Sequence, residues 1–152
     1  MILNRLKRLR VRVAGIIIED GKILLIAHKK KKDVYWLLPG GGVDFGESLE
    51  EALKRELMEE LGVSVEVEDI FCVIDSIAPE DRRHIVNVCF KCCCAKGDIS
   101  LGNDKRLHDF GFFSSGELDS MVLYPSMAEQ LKGLLADGGH EKIYLGKKWM
   151  NL

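Results

Sequence analysis

Three glutamates, Glu56, Glu59 and Glu60, stand at i, i+3 and i+4 in the segment LKRELMEELGV. In a helix this spacing brings their carboxylates onto one stripe, beside an apolar stripe of Leu53, Leu57 and Leu61. Like charges so placed repel by about 0.3 kcal/mol per pair, and the last turns of a helix already disfavour anions. A divalent cation removes the conflict, because hard ions such as Mg2+ take a few carboxylates while water and substrate phosphates complete the shell. A solvated acidic face is the plain alternative. The residues just before the helix favour the metal: Gly40, Gly41 and Gly42 let backbone approach a ligand closely, and a helix start offers unpaired N–H groups to phosphate oxygens. Anion donors and metal ligands on one short segment suit chemistry on a phosphate.

The elements that position this segment are legible from period and punctuation. Residues 9–19 and 22–28 are β-rich runs separated by Asp20-Gly21, which predicts an antiparallel hairpin. His28 to Val34 reads as a loop, and Tyr35 to Leu38 as a short apolar run stopped by Pro39 and the glycines. A helix is expected over about Ser48 to Leu61, with Gly62 as its left-handed terminator. Extended runs follow at Val63 to Ile77, His84 to Ala95 and Phe110 to Ser114. A second helix is expected from near Pro125 to about Ala136, and an edge strand at Lys142 to Leu145. Mixed strands with few helices predict an α+β fold, or an α/β/α sandwich with a mixed β-sheet, in one domain spanning residues 1–152.

Bulk properties narrow the class. With 152 residues, 47% of them hydrophobic, the chain can bury one continuous core. Its net charge of -2 gives no global attraction to nucleic acid or an anionic membrane, so any anion site must be local. The N-terminal run with Arg5, Lys7, Arg8, Arg10 and Arg12 opens like a secretory signal, but its apolar stretch, Val13 to Ile18, is too short and ends at Glu19-Asp20. No segment approaches the roughly 18 apolar residues of a spanning helix, and a cytoplasmic protein is expected. Cys89 and Cys92 have zinc-like spacing, but no second pair exists. Cys92, Cys93 and Cys94 are consecutive in a strand, so they read with Cys72 as small hydrophobes in a reducing compartment.

Residues 41–63 fill every defined position of the pattern G-x5-E-x7-R-E-U-x-E-E-x-G-U, where U is aliphatic: Gly41, Glu47, Arg55, Glu56, Leu57, Glu59, Glu60, Gly62 and Val63. The segment resembles the box of the Nudix hydrolases, and the surrounding order of strand, loop, helix and strand is similar to that family. The resemblance implies that Glu56, Glu59 and Glu60 bind Mg2+ or Mn2+, with the Gly40 carbonyl as a further ligand. It also gives Arg55 the task of orienting a neighbouring glutamate, for which Glu59 at i+4 and Glu51 at i-4 are in reach. An ordinary surface ion pair is the bland reading of Arg55 with Glu47.

A pyrophosphate bridge repels nucleophiles, so cations must neutralise it and activate the attacking water. The general base is one of the three acids or another acid from elsewhere. Asp109 is the first candidate, because HDFGFFSSGEL resembles the family's late acid-bearing strand; Asp104 and Glu117 are alternatives. Pro79 stands 16 residues beyond Val63, which resembles the spacing associated with ADP-ribose pyrophosphatases. The expected substrate is therefore a small nucleotide, ADP-ribose or a nucleotide sugar, held with help from Gly41, Gly42, Pro79 and Asp109. Oxidised nucleoside triphosphates are the alternative. A non-catalytic nucleotide sensor and a nucleic-acid-binding role rank below, because all box acids are kept and aromatic residues do not interleave the basic ones. The reading leaves a homodimer open.

Overall fold

In a computed structural model, residues 8–139 and 142–150 are described, without the side chains of Asp81 and Cys94. Arg5 and Lys7 of the basic run lie outside the described residues.

Asp20 and Gly21 adopt φ of 51° and 73°, and the chain reverses there between β2 (Ile18–Glu19) and β3 (Lys22–Lys30). Only Ile18 and Glu19 pair across this turn. The expected pairing of all of 9–19 with 22–28 is corrected, because β1 (Arg10–Ile16) departs into another sheet. It runs parallel to β7 (His84–Lys96) and antiparallel to β5 (Gly40–Gly42). The reason is burial: Val13, Ala14 and Ile16 are all at most 2% exposed, so both faces of β1 are covered, as in the middle of a sheet.

The expected loop at His28 to Val34 is also corrected. β3 and β4 (Asp33–Leu37) stay paired to Lys30 opposite Asp33, leaving a tight turn at Lys31 and Lys32, with Lys31 at φ 58°. Lysines tolerate an exposed strand end, so a charge run need not break a ladder.

One sheet has the order β5-β1-β7-β6-β9, with β6 at Ser64–Ile77 and β9 at Tyr144–Lys147. In the other, β3 pairs with β2, β4 and β8 (Leu107–Phe113). The short helix α2 (Ser115–Leu118) had no expectation, and α3 begins at Ala128 rather than near Pro125, ending at Asp137 before a left-handed Gly138.

Alternation along the strands builds two cores. Val13, Ile17, Leu24, Ile26, Val88 and Phe90 pack with Leu53, Leu57 and Leu61 of α1 (Leu49–Leu61). Ala14, Ile16, Ile23, Leu25, Ile74 and Cys89 pack with Leu118 of α2 and Leu131 and Leu134 of α3. Neighbouring residues thus serve opposite faces, and the layers are helix, sheets and helices: the expected α+β sandwich. Cys72, Cys89 and Cys92 are buried in these cores, with Cys89 and Cys92 on opposite sides. Among the described residues, no helix is long and apolar enough to cross a membrane.

Candidate active site

Helix α1 is fixed at both ends. Ser48 and Glu51 form a reciprocal capping box at its start. At its end Gly62 takes the left-handed conformation, and the loop between β7 and β8 donates Ser100 N–H to the Leu61 carbonyl and Gly102 N–H to the Glu60 carbonyl. With Leu53, Leu57 and Leu61 completely buried, the adjoining glutamate stripe has one orientation available.

That stripe opens into a cleft of about 290 Å³, lined by Glu56, Glu59, Glu60 and by Gly40, Gly41 and Gly42. Gly40 donates its N–H to Glu60 Oε1 at 2.9 Å. A Cβ on Gly41 would overlap the Glu56 carboxylate, so only glycine lets strand and acid lie this close. Burial pushes the Glu60 carboxyl up to about 7, reinforced by Glu56 and Asp104 and opposed by Arg12 and the Gly40 amide. Glu59 is the exposed member, with 61% of its side chain accessible. Among the described residues, no three acidic, histidine or cysteine side chains converge as a finished metal centre. The donor set nevertheless fits a hard cation, since three carboxylates share one cleft and one of them is buried at a cost that positive charge would remove.

Arg55 reaches Glu59 at i+4, as expected, but its shortest contacts are with Glu47. It grips Glu47 with two parallel bonds, Nε to Oε2 at 2.7 Å and Nη2 to Oε1 at 2.8 Å. Nη1 also donates to Glu56 at 2.9 Å and Glu59 at 3.3 Å, and Nη2 to the Gly42 carbonyl at 3.1 Å. Glu51, in reach by helical spacing, is committed to the cap instead. The Arg55 hydrogen bonds and the Asp44 amide hold the Glu47 carboxyl down at about 2. The same contacts, Glu47 first, push the guanidinium pKa further up.

Two expected substrate contacts do not line the cleft. Asp109 is exposed on β8 opposite Ala27, and its Oδ1 accepts from the Phe110 amide. Pro79 is exposed at the start of a 3-10 turn, Pro79–Asp81. Glu117 caps α2 through Ser114. Of the three acids considered outside the box, Asp104 alone lines the cleft, and Arg106 holds its carboxyl down at about 2 through hydrogen bonds.

Several other lining residues were not foreseen: His28, Tyr35, Tyr124, Arg12, Arg83 and Arg106 share the same cleft. A signal existed for His28, which follows Leu24 and Ile26 at period two and so falls on the face turned toward α1. A polar residue at the end of such an apolar face marks where a core opens into a site.

The NUDIX domain family matches residues 8–137. An ADP-ribose pyrophosphatase from Methanocaldococcus jannaschii is 37% identical over 103 residues, covering 66% of this chain but only 60% of that protein. The nucleoside triphosphatase NudI of Salmonella paratyphi B is 32% identical over 142 residues, 84% of this chain and 99% of its own length. The crystal structure of a MutT NUDIX hydrolase from Burkholderia pseudomallei superposes with a TM-score of 0.67 at 33% identity, covering 72% of this chain and 86% of that one. The chain belongs to the Nudix hydrolase family, and the fold is the Nudix sandwich.

Proposed function

We propose that this protein hydrolyses the pyrophosphate bond of a nucleoside diphosphate derivative, ADP-ribose or a nucleotide sugar, with Mg2+ or Mn2+ held by Glu56, Glu59 and Glu60. The observation that carries the reading is the opening of these three carboxylates into the same cleft as the Gly40 to Gly42 strand. The cation, when bound, supplies positive charge to the bridging phosphates and acidifies the attacking water. Glu60 is poised near neutral pH on the Gly40 amide, Glu56 is held by Arg55, and Glu59 faces solvent. Arg55 sets the spacing of the other two acids without itself needing to touch substrate. Asp104, kept ionised by the neighbouring Arg106, lines a pocket with the three glutamates and is the additional acid best placed to orient water.

The name of the Methanocaldococcus relative supports ADP-ribose. A nucleoside triphosphate is the second reading, supported by the near full-length match to a nucleoside triphosphatase. The buried thiols of Cys72, Cys89 and Cys92 suit the reducing cytoplasm. Incubation with ADP-ribose, nucleotide sugars and nucleoside triphosphates in Mg2+ or Mn2+ tests the proposal. AMP and ribose 5-phosphate from ADP-ribose support the first reading; pyrophosphate from triphosphates alone supports the second; no metal-dependent turnover overturns both.

A further inference from the structure

Two polar groups besides the carboxylates stand out in the cleft lining. His28 and Tyr124 are both more than nine-tenths buried, yet His28 Nε2 and the Tyr124 hydroxyl make no hydrogen bond. Ser76, which accepts from Asn87 Nδ2 at 2.7 Å, lies near the Tyr124 hydroxyl but outside hydrogen-bonding geometry with it. Buried polar groups are seldom left idle, and an idle pair at the wall of a cleft suits a ligand. Tyr35 stands between them, edge-on to His28 at 5.6 Å and to Tyr124 at 5.9 Å between ring centroids, so the wall is aromatic as well as polar.

The charge on this wall restricts what it can take. Burial and then Arg12 hold the His28 imidazole down at about 4, with Arg106 and Arg83 adding to the effect and Asp104 opposing. At neutral pH the ring is therefore uncharged and offers a directional hydrogen bond rather than a charge. An uncharged donor or acceptor, a phenol hydroxyl and an aromatic face together match a flat heterocycle with a polar edge. A further phosphate would engage the arginines and make little use of a neutral imidazole.

We propose that His28 Nε2 and the Tyr124 hydroxyl read the polar edge of the substrate's nucleobase, making these two residues the specificity determinants of the cleft. The inference rests on the reading of the three carboxylates as the pyrophosphate site, which leaves the nucleoside to the rest of the same cleft. A site that hydrogen-bonds its ligand rejects one lacking the partner, because the buried group is then left unpaired.

The test is calorimetric binding of AMP, GMP, CMP, UMP and ribose 5-phosphate to the full chain in Mg2+, for the wild type, His28→Leu and Tyr124→Phe. Comparison with ribose 5-phosphate cancels the phosphate contribution. The wild type is expected to bind at least one nucleotide about tenfold or more tightly than ribose 5-phosphate. Each variant should lower that ratio at least about threefold, with ribose 5-phosphate binding unchanged. Tyr124→Phe keeps the packed ring, so it tests the hydroxyl even if His28→Leu folds poorly. A wild type without preference, or an unaltered ratio in Tyr124→Phe and in folded His28→Leu, overturns the proposal. Equal weakening of nucleotide and ribose 5-phosphate also overturns it, assigning the wall to phosphate. Binding is read without turnover, so absence of hydrolysis defeats the catalytic reading while leaving the base preference measurable.

Discussion

Arg55 and Glu47 are joined by a two-pronged ion pair across eight residues, with bonds of 2.7 and 2.8 Å, and Arg55 carries two of the three cleft carboxylates on its remaining donors. Glu47 lies in the loop and Arg55 on the helix, so the pair fastens the glycine-rich segment to the acidic stripe. Only a planar guanidinium can make these contacts at once.

Arg55→Lys should therefore lower kcat/KM by about tenfold or more although charge is conserved, since a single ammonium cannot hold Glu47, Glu56 and Glu59 together. Steady-state kinetics at saturating Mg2+ check this. Activity equal to wild type would reduce the pair to an ordinary surface contact.

Gly41→Ala should abolish most activity while the chain still folds, because the added methyl meets the Glu56 carboxylate rather than backbone. Gly40→Ala should be worse for folding, since its methyl meets the Val13 carbonyl of β1. Thermal melts alongside turnover separate the two effects: a melt near wild type for Gly41→Ala and a clearly lowered one for Gly40→Ala.

Glu59→Gln and Glu60→Gln should each cut turnover at least about tenfold at low Mg2+ and weaken Mn2+ binding measured by electron paramagnetic resonance. Metal-free stability should behave differently. The folded Glu60 pKa of about 7 lies above its unfolded value near 4.5, so the protonated acid favours the fold and this contribution is lost as pH rises through 7. Glu60→Gln should thus gain stability over wild type, by roughly 1 kcal/mol, at pH 8 but not at pH 4.

The chemistry of α1 was legible because it is local. One helical turn fixes which side chains share a stripe, and Ser48, Glu51 and Gly62 state where the helix starts and stops. The Arg55–Glu59 pair was legible from helical spacing, but the dominance of Glu47 was not, since the fold of the loop brings it to Arg55 while Glu51 is consumed by the cap. Long-range choices were also hidden. Whether residues 10–16 follow the hairpin or leave for β7 depends on strands about 75 residues away, as in Arg10 opposite Ile85. The cleft lining also joins the His28–Tyr35 pair of the β3–β4 hairpin to Arg83 and Tyr124 from distant parts of the chain, a meeting that no local spacing states. Asp109 failed as a cleft acid and Asp104 replaced it because the loop before β8, not the strand, passes the cleft.

His28 predicts a pH dependence of stability with the opposite sign to Glu60. Its folded pKa, about 4, lies below the ordinary histidine value of 6.5, so between those values the unfolded chain takes up a proton that the folded one refuses. Stability should fall as pH drops from 6.5 to 4 and lose nothing more from this group below that. In His28→Leu the fall over that window should be smaller by roughly 1–2 kcal/mol, the full ionisation cost being reduced by the water in the cleft. Urea unfolding at pH 7, 5 and 4 checks the difference; identical slopes would place a charged imidazole in the fold.

Hydrolysis of ADP-ribose with Mg2+ in heavy-oxygen water, followed by mass spectrometry of both products, tests the central claim most directly. Attack by water on one phosphorus of the bridge should give AMP and ribose 5-phosphate, with a single labelled oxygen in one of them and no turnover when the metal is chelated. Unlabelled products, a covalent phosphoryl-enzyme, or undiminished cleavage without metal would contradict the account.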